Sequence, residues 1–434
     1  GFQVYEYHTY TLSAENKEEA GDGGRTGVTS YSTILYRRND LSYAFCNMPL
    51  LKQIKLPKQL KGIGECILSG TPVEKVEFPT APEYVGDNAF YLSDFDYEGG
   101  CRLKGVALPS TVTRLGNYAL MGIGFSTIDI SKITELGEGC LQGTNISSVN
   151  LNSGITSIPA GAFSNCKWLT SVTIPGTVEV IGSNAFSDCA IKTLVMQEGI
   201  RVIGSRAFSG NDKLDDITVP NSLEEIGKFA FFGKLDYGVG QYHVPYIENM
   251  TAEDGVKYIG KVAYTFTGGS SIKIKEGTVS LADGFLTNHN PYGNSHPSEW
   301  GATVTLPSTL RILGKECLKD TPVSSIELPD NLEIIREGAL ANSKLRRVTI
   351  PKSVALIERG AFEGSSLVRV NYNAIDAEER YIERTDGSSG YTRIFPESLV
   401  RAVIGEGVRN IPASMFYACE NLARIKHACW YVSH

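Results

Sequence analysis

The sequence predicts a curved, right-handed solenoid of about 13 to 15 coils, with a parallel β-sheet on one face and short helical turns and irregular segments on the other. Two observations predict it. An apolar residue that closes a strand-like run is followed, usually seven positions later, by a box of the form I-G-x-x-A-F, and the box recurs every 21 to 23 residues where no insertion intervenes. A fixed period of this kind is the signature of stacked repeats, and 434 residues exceed the usual size of one globular core.

The first part of each unit has the pattern of a half-buried strand. In "LTSVTIP" the apolar residues Leu169, Val172 and Ile174 largely alternate with polar ones, which favours a strand with one buried face. Pro175 then ends it, because proline cannot donate to a strand ladder. We therefore expect one such strand in each coil.

The box that follows is predicted to be core. Glycine often occupies its second position, as at Gly182 and Gly204, where we expect an unusual backbone conformation. The fifth position is usually Ala or Cys and the sixth is Phe or Leu, a pairing that predicts close packing and a ladder of stacked phenylalanines. Thirteen boxes open at Ile63, Val85, Leu115, Leu136, Ile158, Ile181, Ile203, Ile226, Leu281, Leu313, Ile335, Ile357 and Ile411.

The repeat sets the domain boundaries. Residues 1–40 are polar and are predicted to form an N-terminal cap, and 41–434 form the solenoid, whose last residues act as a C-terminal cap. Within the solenoid we predict insertions near 91–101, 232–258, 287–302 and 373–400. A degenerate box, "IGKVAY" (Ile259 to Tyr264), is expected to keep the register between two of them.

Composition argues against several classes of protein. The net charge is −7 and no run rich in Lys and Arg occurs, so nucleic acid is not an expected partner. No stretch of about 18 apolar residues is present that could span a bilayer. Because the chain starts at Gly1 without Met, we expect a targeting segment upstream, with a lipid anchor as one option.

The residues of catalytic and metal sites are not grouped in recognisable patterns. "GSNAF" lacks the second glycine of a nucleophile elbow, and no CxxC pair or Cys/His cluster has metal-ligand spacing. The nine cysteines are an odd number; Cys140 and Cys317 replace the box Ala, and three others lie three residues after the box Phe, so we interpret them as small buried residues. Cys166 and Cys189, on consecutive coils, are the pair close enough for a disulfide. We expect no enzyme, no metal and no cofactor.

Binding is expected on the outward side of the strands and in the insertions. Stacked strands place their outward residues in two polar columns, the kind of extended surface through which solenoids bind. The insertions carry aromatic side chains, which are common at binding hot spots. The predicted binding residues are Lys75, Glu77, Asp129, Asn150, Ser171, Thr173, Thr193, Asp216, Thr218, Glu327, Arg347 and Arg369 in the columns, and Tyr242, Tyr246, Tyr292 and Trp300 in the insertions.

The repeated "IP…IG…AF…C" signature resembles that of the BspA-like leucine-rich repeat family of bacterial cell-surface proteins, from about residue 41 to the end. The segment "VKYIGKVAYTFTGGSSIKIKEGT" also resembles a recurrent segment of that family. The resemblance implies a leucine-rich repeat solenoid, secreted or on the cell surface and compatible with an outer-membrane lipoprotein. It implies a non-enzymatic adhesion protein that binds a protein or glycan of the host or of neighbouring cells. A structural scaffold of the cell envelope is the alternative.

Overall fold

The computed structural model describes residues 41–48, 50–71, 73–91, 108–124, 128–236, 241–243, 245–288, 300, 302–378, 393–412 and 415–427, and two short strands before them. The chain forms two compact units. Unit 1 contains Gly1–Ile155 and Gly161–Leu169, and unit 2 contains Thr156–Ala160 and Thr170–His434. Each unit is a β-solenoid, and the predicted fold class is confirmed.

Each regular coil contributes up to two strands. The first is the predicted strand, here called a front strand. The second, here called a box strand, has two residues and ends on the apolar residue that opens the box, as at Val180–Ile181. Stacked coils therefore build two kinds of parallel sheet, one from front strands and one from box strands, where the sequence predicted one kind.

The described residues of unit 1 form one front sheet and one box sheet. Its strands are β1 (Thr11–Leu12), β2 (Tyr31–Ser32), β3 (Gln53–Lys55), β4 (Gly62–Ile63), β5 (Lys75–Glu77), β6 (Tyr84–Val85), β7 (Arg114–Leu115) and β8 (Glu135–Leu136). Front strands β3 and β5 pair in parallel, and the box strands form a parallel sheet of order β4-β6-β7-β8. The antiparallel pair β1-β2 lies in the predicted cap, the rest of which falls outside the described residues.

Unit 2 repeats this plan and is interrupted by hairpins. Its elements are β9 (Ser157–Ile158), β10 (Ser171–Ile174), β11 (Val180–Ile181), β12 (Thr193–Met196), β13 (Val202–Ile203), β14 (Asp216–Thr218), β15 (Glu225–Ile226), β16 (Lys234–Asp236), β17 (Gln241–His243), α1 (Pro245–Asn249), β18 (Val256–Ile259), β19 (Val262–Phe266), β20 (Ser271–Lys273), β21 (Ser280–Leu281), β22 (Thr303–Thr305), β23 (Ile312–Leu313), β24 (Ile334–Ile335), β25 (Arg347–Ile350), β26 (Leu356–Ile357), β27 (Arg369–Tyr372), β28 (Arg401–Ile404) and β29 (Arg424–His427).

In unit 2 the residues that the structure describes form three front sheets and two box sheets. The front sheets have the orders β10-β12-β14, β20-β22 and β25-β27-β28-β29, and every pairing in them is parallel. The box sheets have the orders β9-β11-β13-β15 and β18-β19-β21-β23-β24-β26. Strand β29 shows that part of the predicted C-terminal cap continues the stack as one more front strand.

The core between the sheets contains the predicted aromatic ladder. Phe186, Phe208 and Phe231 are buried, and their successive ring centroids are 5.4 Å apart with nearly parallel planes. A second stack joins Phe362, Phe395 and Phe416 at 5.4 and 5.6 Å. Within each of these two stacks, rings from neighbouring coils therefore meet face to face.

The backbone of the box differs from the prediction in two ways. The expected short helical turns are non-helical hydrogen-bonded turns, because the fourth box position takes a left-handed conformation, as at Asn184 (φ 56°) and Arg206 (φ 56°). The glycine at the second position is needed for close approach instead: a Cβ on Gly204 would lie 2.6 Å from the Ser183 amide nitrogen. The Gly204 N–H donates to the Ile181 carbonyl of the preceding coil at 2.7 Å.

The degenerate box at Ile259 to Tyr264 is a hairpin rather than a coil. Strands β18 and β19 pair antiparallel around Gly260, whose φ is 59°. Ala263, and not Ile259, then takes the register position beside Leu281 in the box sheet. The register is thus kept by the second strand of the hairpin.

The structure describes seven cysteines, and no disulfide joins any two of them, so the pairing of Cys166 with Cys189 is not formed. Five of the seven are buried, in agreement with their place as small residues of the core. Burial raises the pKa of the Cys140 thiol to about 12, so this cysteine is uncharged at neutral pH.

Ion pairs join coils that the insertion at 232–258 separates in sequence. Arg311 bridges Glu224 at 3.0 Å and Glu333 at 2.8 Å. Arg336 bridges Glu225 at 2.7 Å and Glu358 at 2.8 Å. Both arginines therefore link carboxylates from both sides of the insertion, which helps to fix the coils that flank it.

Phe186→Ala should lower the free energy of unfolding by about 3–5 kcal/mol, because it removes the ring that stacks on Phe208 and leaves a cavity. Urea denaturation followed by circular dichroism measures the change. The control is Val180→Ala, at a side chain that is 40% exposed, for which we expect less than about 1 kcal/mol. Equal costs for the two variants would contradict the assignment of Phe186 to the interior.

Asp283 should make stability depend on pH. Burial raises the pKa of its carboxyl to about 6, the Glu225 carboxylate adds to the rise, and the hydrogen bond from the Lys315 amide opposes it. The unfolded carboxyl titrates near pH 3.9, so between about pH 4 and 6 the folded state binds more protons and stability falls as pH rises.

Asp283→Asn should remove this dependence and stabilise the protein at pH 7 by about 1–3 kcal/mol relative to wild type. Urea denaturation at a series of pH values tests it. Asp216→Asn, at an exposed carboxylate, is the control and should leave the pH profile unchanged. Profiles of the Asp283 variant and the wild type that run parallel from pH 4 to 7 would refute the expectation.

Candidate binding surface

The front sheet β10-β12-β14 of unit 2 brings five of the predicted binding residues into two columns. Ser171, Thr193 and Asp216 are register partners in one column, and Thr173 and Thr218 flank Val195 in the other. The interleaved residues of these strands, such as Val172 and Leu194, are buried. The predicted alternation and register are therefore confirmed here, and the outward face is polar with short side chains.

In unit 1 the columns are less regular. Lys75 and Glu77 project from β5, and Glu77 forms an exposed ion pair of 2.7 Å with Lys55 on the neighbouring strand. Asp129 and Asn150 are exposed, but the segments that carry them do not form strands. Asp129 accepts a hydrogen bond from the Ser131 amide instead. The prediction that these two residues belong to a continuous sheet is therefore wrong.

The aromatic residues predicted from the insertions lie in different settings. Trp300 packs edge-on against Phe266, with ring centroids 5.6 Å apart, so it braces the fold at least in part. Tyr246 is half-buried, and its amide donates to the Leu214 carbonyl. Tyr242 lies on β17, in the hairpin with β16. Tyr292 lies outside the described residues.

The front sheet β25-β27-β28-β29 carries the most concentrated charge of the front faces. Its first outward column consists of four arginines in register: Arg347, Arg369, Arg401 and Arg424. Adjacent parallel strands are about 4.8 Å apart, so the Cα atoms of neighbouring arginines repeat at that spacing. We call this column the arginine ladder.

The arginine ladder has no acidic partner among the residues that the structure describes: none of its guanidinium groups lies within 4.0 Å of a carboxylate there. The Arg369 Nε donates to the Asn371 side-chain oxygen at 3.3 Å. The Arg401 Nε is buried and has no hydrogen-bond partner in this part of the chain. The positive charge of the column is therefore not neutralised by these residues.

The second column of the same sheet is polar beside the central arginines. It consists of Thr349, Asn371, Val403 and Lys426. The Asn371 side-chain amide donates to the Thr349 hydroxyl at 3.2 Å, which fixes both groups beside the ladder. Hydroxyl, amide and ammonium groups thus lie next to the guanidinium groups.

A cavity of about 720 Å³ adjoins the first rung of the ladder. It lies where the coil between β22 and β25 forms no front strand, at residues 321–329. Its lining includes Glu327 and Arg347, two predicted binding residues, together with the carboxylates of Glu276 and Asp330 and the polar side chains of Ser308, Asn331 and Thr349. The structure therefore brings Glu327 and Arg347 together at one open, polar depression.

Sequence reasoning missed Arg401 and Arg424. A sequence signal for Arg401 was present. Ile404 lies seven positions before the box at Ile411 and therefore closes a front strand, and Arg401 lies three residues before it, just as Arg347 lies three residues before Ile350. The insertion before β28 interrupted the period and concealed it. Trp168 was also missed: it is 64% exposed, although it lies outside the insertions.

Within the described residues, no group of three or more His, Cys, Asp or Glu side chains could hold a metal ion. No helix described here is long and apolar enough to cross a membrane.

Comparison with known proteins identifies the repeat. A family model described as the BspA type leucine-rich repeat region matches in six copies, over residues 41–99, 97–191, 134–237 and 301–379, which together exceed half of the chain. No curated protein sequence matches the chain.

Three solved structures are among those similar to this chain. A leucine-rich repeat protein from Bacteroides ovatus has 17% identity and a TM-score of 0.35, and covers 93% of this chain and 90% of its own. A leucine-rich cell-surface protein from Faecalibacterium prausnitzii has 18% identity and a TM-score of 0.32, over 98% and 94%. The pneumococcal vaccine antigen PcpA has 16% identity and a TM-score of 0.30, over 89% and 91%.

Proposed function

Since the chain belongs to the BspA type leucine-rich repeat family, we propose that it is a non-enzymatic adhesion protein of the bacterial surface. It binds a protein or glycan of a host or neighbouring cell through the front faces and the inserted loops. The protein is secreted or anchored outside the cell, and the sites on it are extended surfaces rather than a catalytic cleft. It needs no cofactor.

The observation that carries this proposal is the regular outward surface of the front sheets. In β10-β12-β14 the buried residues hold the strands in register, so that Ser171, Thr193 and Asp216 stand in line. Preorganised polar groups on a rigid sheet can form hydrogen bonds without a large loss of conformational entropy on binding. A flat, polar face of this kind suits a large partner that makes contacts over area.

A structural scaffold of the cell envelope is the second candidate. The packing of Trp300 against Phe266 favours it, because an aromatic residue next to an insertion then stabilises the coils rather than a complex. If the protein is a scaffold, the front faces bind no specific ligand and the insertions only stabilise the stacked coils.

The test is a binding array with the purified chain. Immobilised extracellular-matrix proteins, mucins and polysaccharides are probed for saturable binding. The variant Ser171→Arg/Thr218→Arg places two large side chains on the front sheet at exposed positions. We expect it to weaken binding to a partner of this sheet by about tenfold or more, because it obstructs the contact area.

The matched control is Ser157→Arg/Ser183→Arg, which adds the same charge at exposed positions away from the front sheet. We expect it to bind as the wild type does. Circular dichroism and thermal denaturation check that both variants fold. If no probe on the array gives saturable binding to the wild type, the adhesion proposal fails and the scaffold is favoured.

A further inference from the structure

From the arginine ladder we infer that the front sheet β25-β27-β28-β29 is a binding site for an acidic polysaccharide, whose carboxylate or sulfate groups pair with successive arginines. This inference rests on the proposed binding function and specifies one ligand class for one face.

The charge of the ladder needs an explanation. Four guanidinium groups stacked on neighbouring strands repel one another, and like charges directly opposite across a sheet are destabilising. Among the described residues no carboxylate within 4.0 Å relieves this repulsion at any of the four. The protein as a whole is acidic, with a net charge of −7, so the ladder is a local exception. An external anion would neutralise it.

The arginines are also ready to form hydrogen bonds. Arginine presents its N–H groups in a planar fork that matches carboxylate and sulfate oxygens. Arg401 is half-buried; its Nε is buried and lacks an acceptor in the described part of the chain, so a ligand would meet this arginine at its terminal N–H groups. Arg369 is half-buried and is oriented by its hydrogen bond to Asn371. The central rungs are therefore partly held in place before a ligand arrives.

The spacing of the rungs favours a glycan over an acidic peptide. Neighbouring strands repeat at about 4.8 Å. An extended peptide rises about 3.4 Å per residue, so its carboxylates on one face would lie about 6.8 Å apart and lose register along the ladder. A sugar unit in an extended polysaccharide advances the chain by a distance close to one strand spacing. Charged groups on successive sugars, as in heparin, can therefore follow the rungs, whereas hyaluronan carries its carboxylate on every second sugar and can meet alternate rungs.

The groups beside the ladder suit the uncharged part of a sugar chain. Thr349 and Asn371 offer a hydroxyl and an amide next to Arg347 and Arg369. The cavity at the first rung adds Ser308 and Asn331. Three carboxylates, those of Glu276, Glu327 and Asp330, also line the cavity, so the positive surface ends there. We place the polysaccharide along the ladder from Arg347 towards β29, outside the cavity.

The experiment measures the affinity of the whole chain for heparin, hyaluronan, neutral dextran and polyglutamate by biolayer interferometry. The variant Arg369→Gln/Arg401→Gln removes the two central charges. The control Arg114→Gln/Arg206→Gln removes two exposed arginines that lie on no front strand. Both variants lower the net charge equally, so a general electrostatic effect would act on them alike. Thermal denaturation checks that each one folds.

We expect the wild type to bind heparin or hyaluronan, with an affinity that falls between about 0.15 and 0.5 M salt, and to bind neither dextran nor polyglutamate comparably. The ladder variant should bind the acidic polysaccharide about tenfold more weakly or worse, since it loses charge-assisted hydrogen bonds. The control should change by less than about twofold.

Three results would overturn the inference: no binding to either acidic polysaccharide, equal losses in the two variants, or equally tight binding of polyglutamate. The failure of this inference is distinguishable from failure of the adhesion proposal. If the array reveals saturable binding to a neutral glycan or a matrix protein that Arg369→Gln/Arg401→Gln leaves intact, adhesion stands and the arginine ladder is not its site.

Discussion

The contact between one coil and the next is the constraint on which the rest of the structure depends. At the boxes with a second-position glycine, the backbone of a coil approaches that of the preceding coil closely: a side chain on Gly204 would collide with the Ser183 amide. The same approach allows the Gly204 N–H to reach the Ile181 carbonyl and places Phe208 on Phe186. Because these contacts recur about every 22 residues, they set the register of both sheets. The outward columns inherit their alignment from the core.

Most of this core could be predicted from the sequence, because short repeated patterns of residues determine which side chains are buried. The alternation in "SVTI" gave the buried and exposed sides of β10, and the sixth box position gave the stack of Phe186, Phe208 and Phe231. The role of the box glycine was not predictable in the same way. Because glycine recurs at the second box position, the sequence indicated an unusual φ there. The residue with a left-handed conformation is instead at the fourth box position, as at Asn184 and Arg206. A glycine needed for close approach and one needed for its φ look alike in a sequence.

The binding surface was predictable where the period is unbroken and not elsewhere. The columns of β10-β12-β14 follow from the repeat period and the alternation within each strand. Asp129 and Asn150, however, lie in coils whose front segments do not form strands. Whether a segment with the right pattern pairs depends on its neighbours, which the local pattern does not specify. The arginine ladder was half found, since Arg347 and Arg369 come before the last insertion and Arg401 and Arg424 after it. Spatial adjacency across an insertion is a property of the stack, not of the local sequence.

The hairpin of β18 and β19 has a consequence for how such a chain can change. Its second strand joins the parallel box sheet, so that Ala263 takes the place a regular coil would fill. A segment of irregular length can thus be accommodated while the coils on its far side keep their alignment. Evolution can then lengthen or replace loops in one region without disturbing the order of side chains in another. Insertions can therefore vary in the intervals between stacked coils. A front sheet, and the column of outward side chains on it, can be extended by adding one coil at a time.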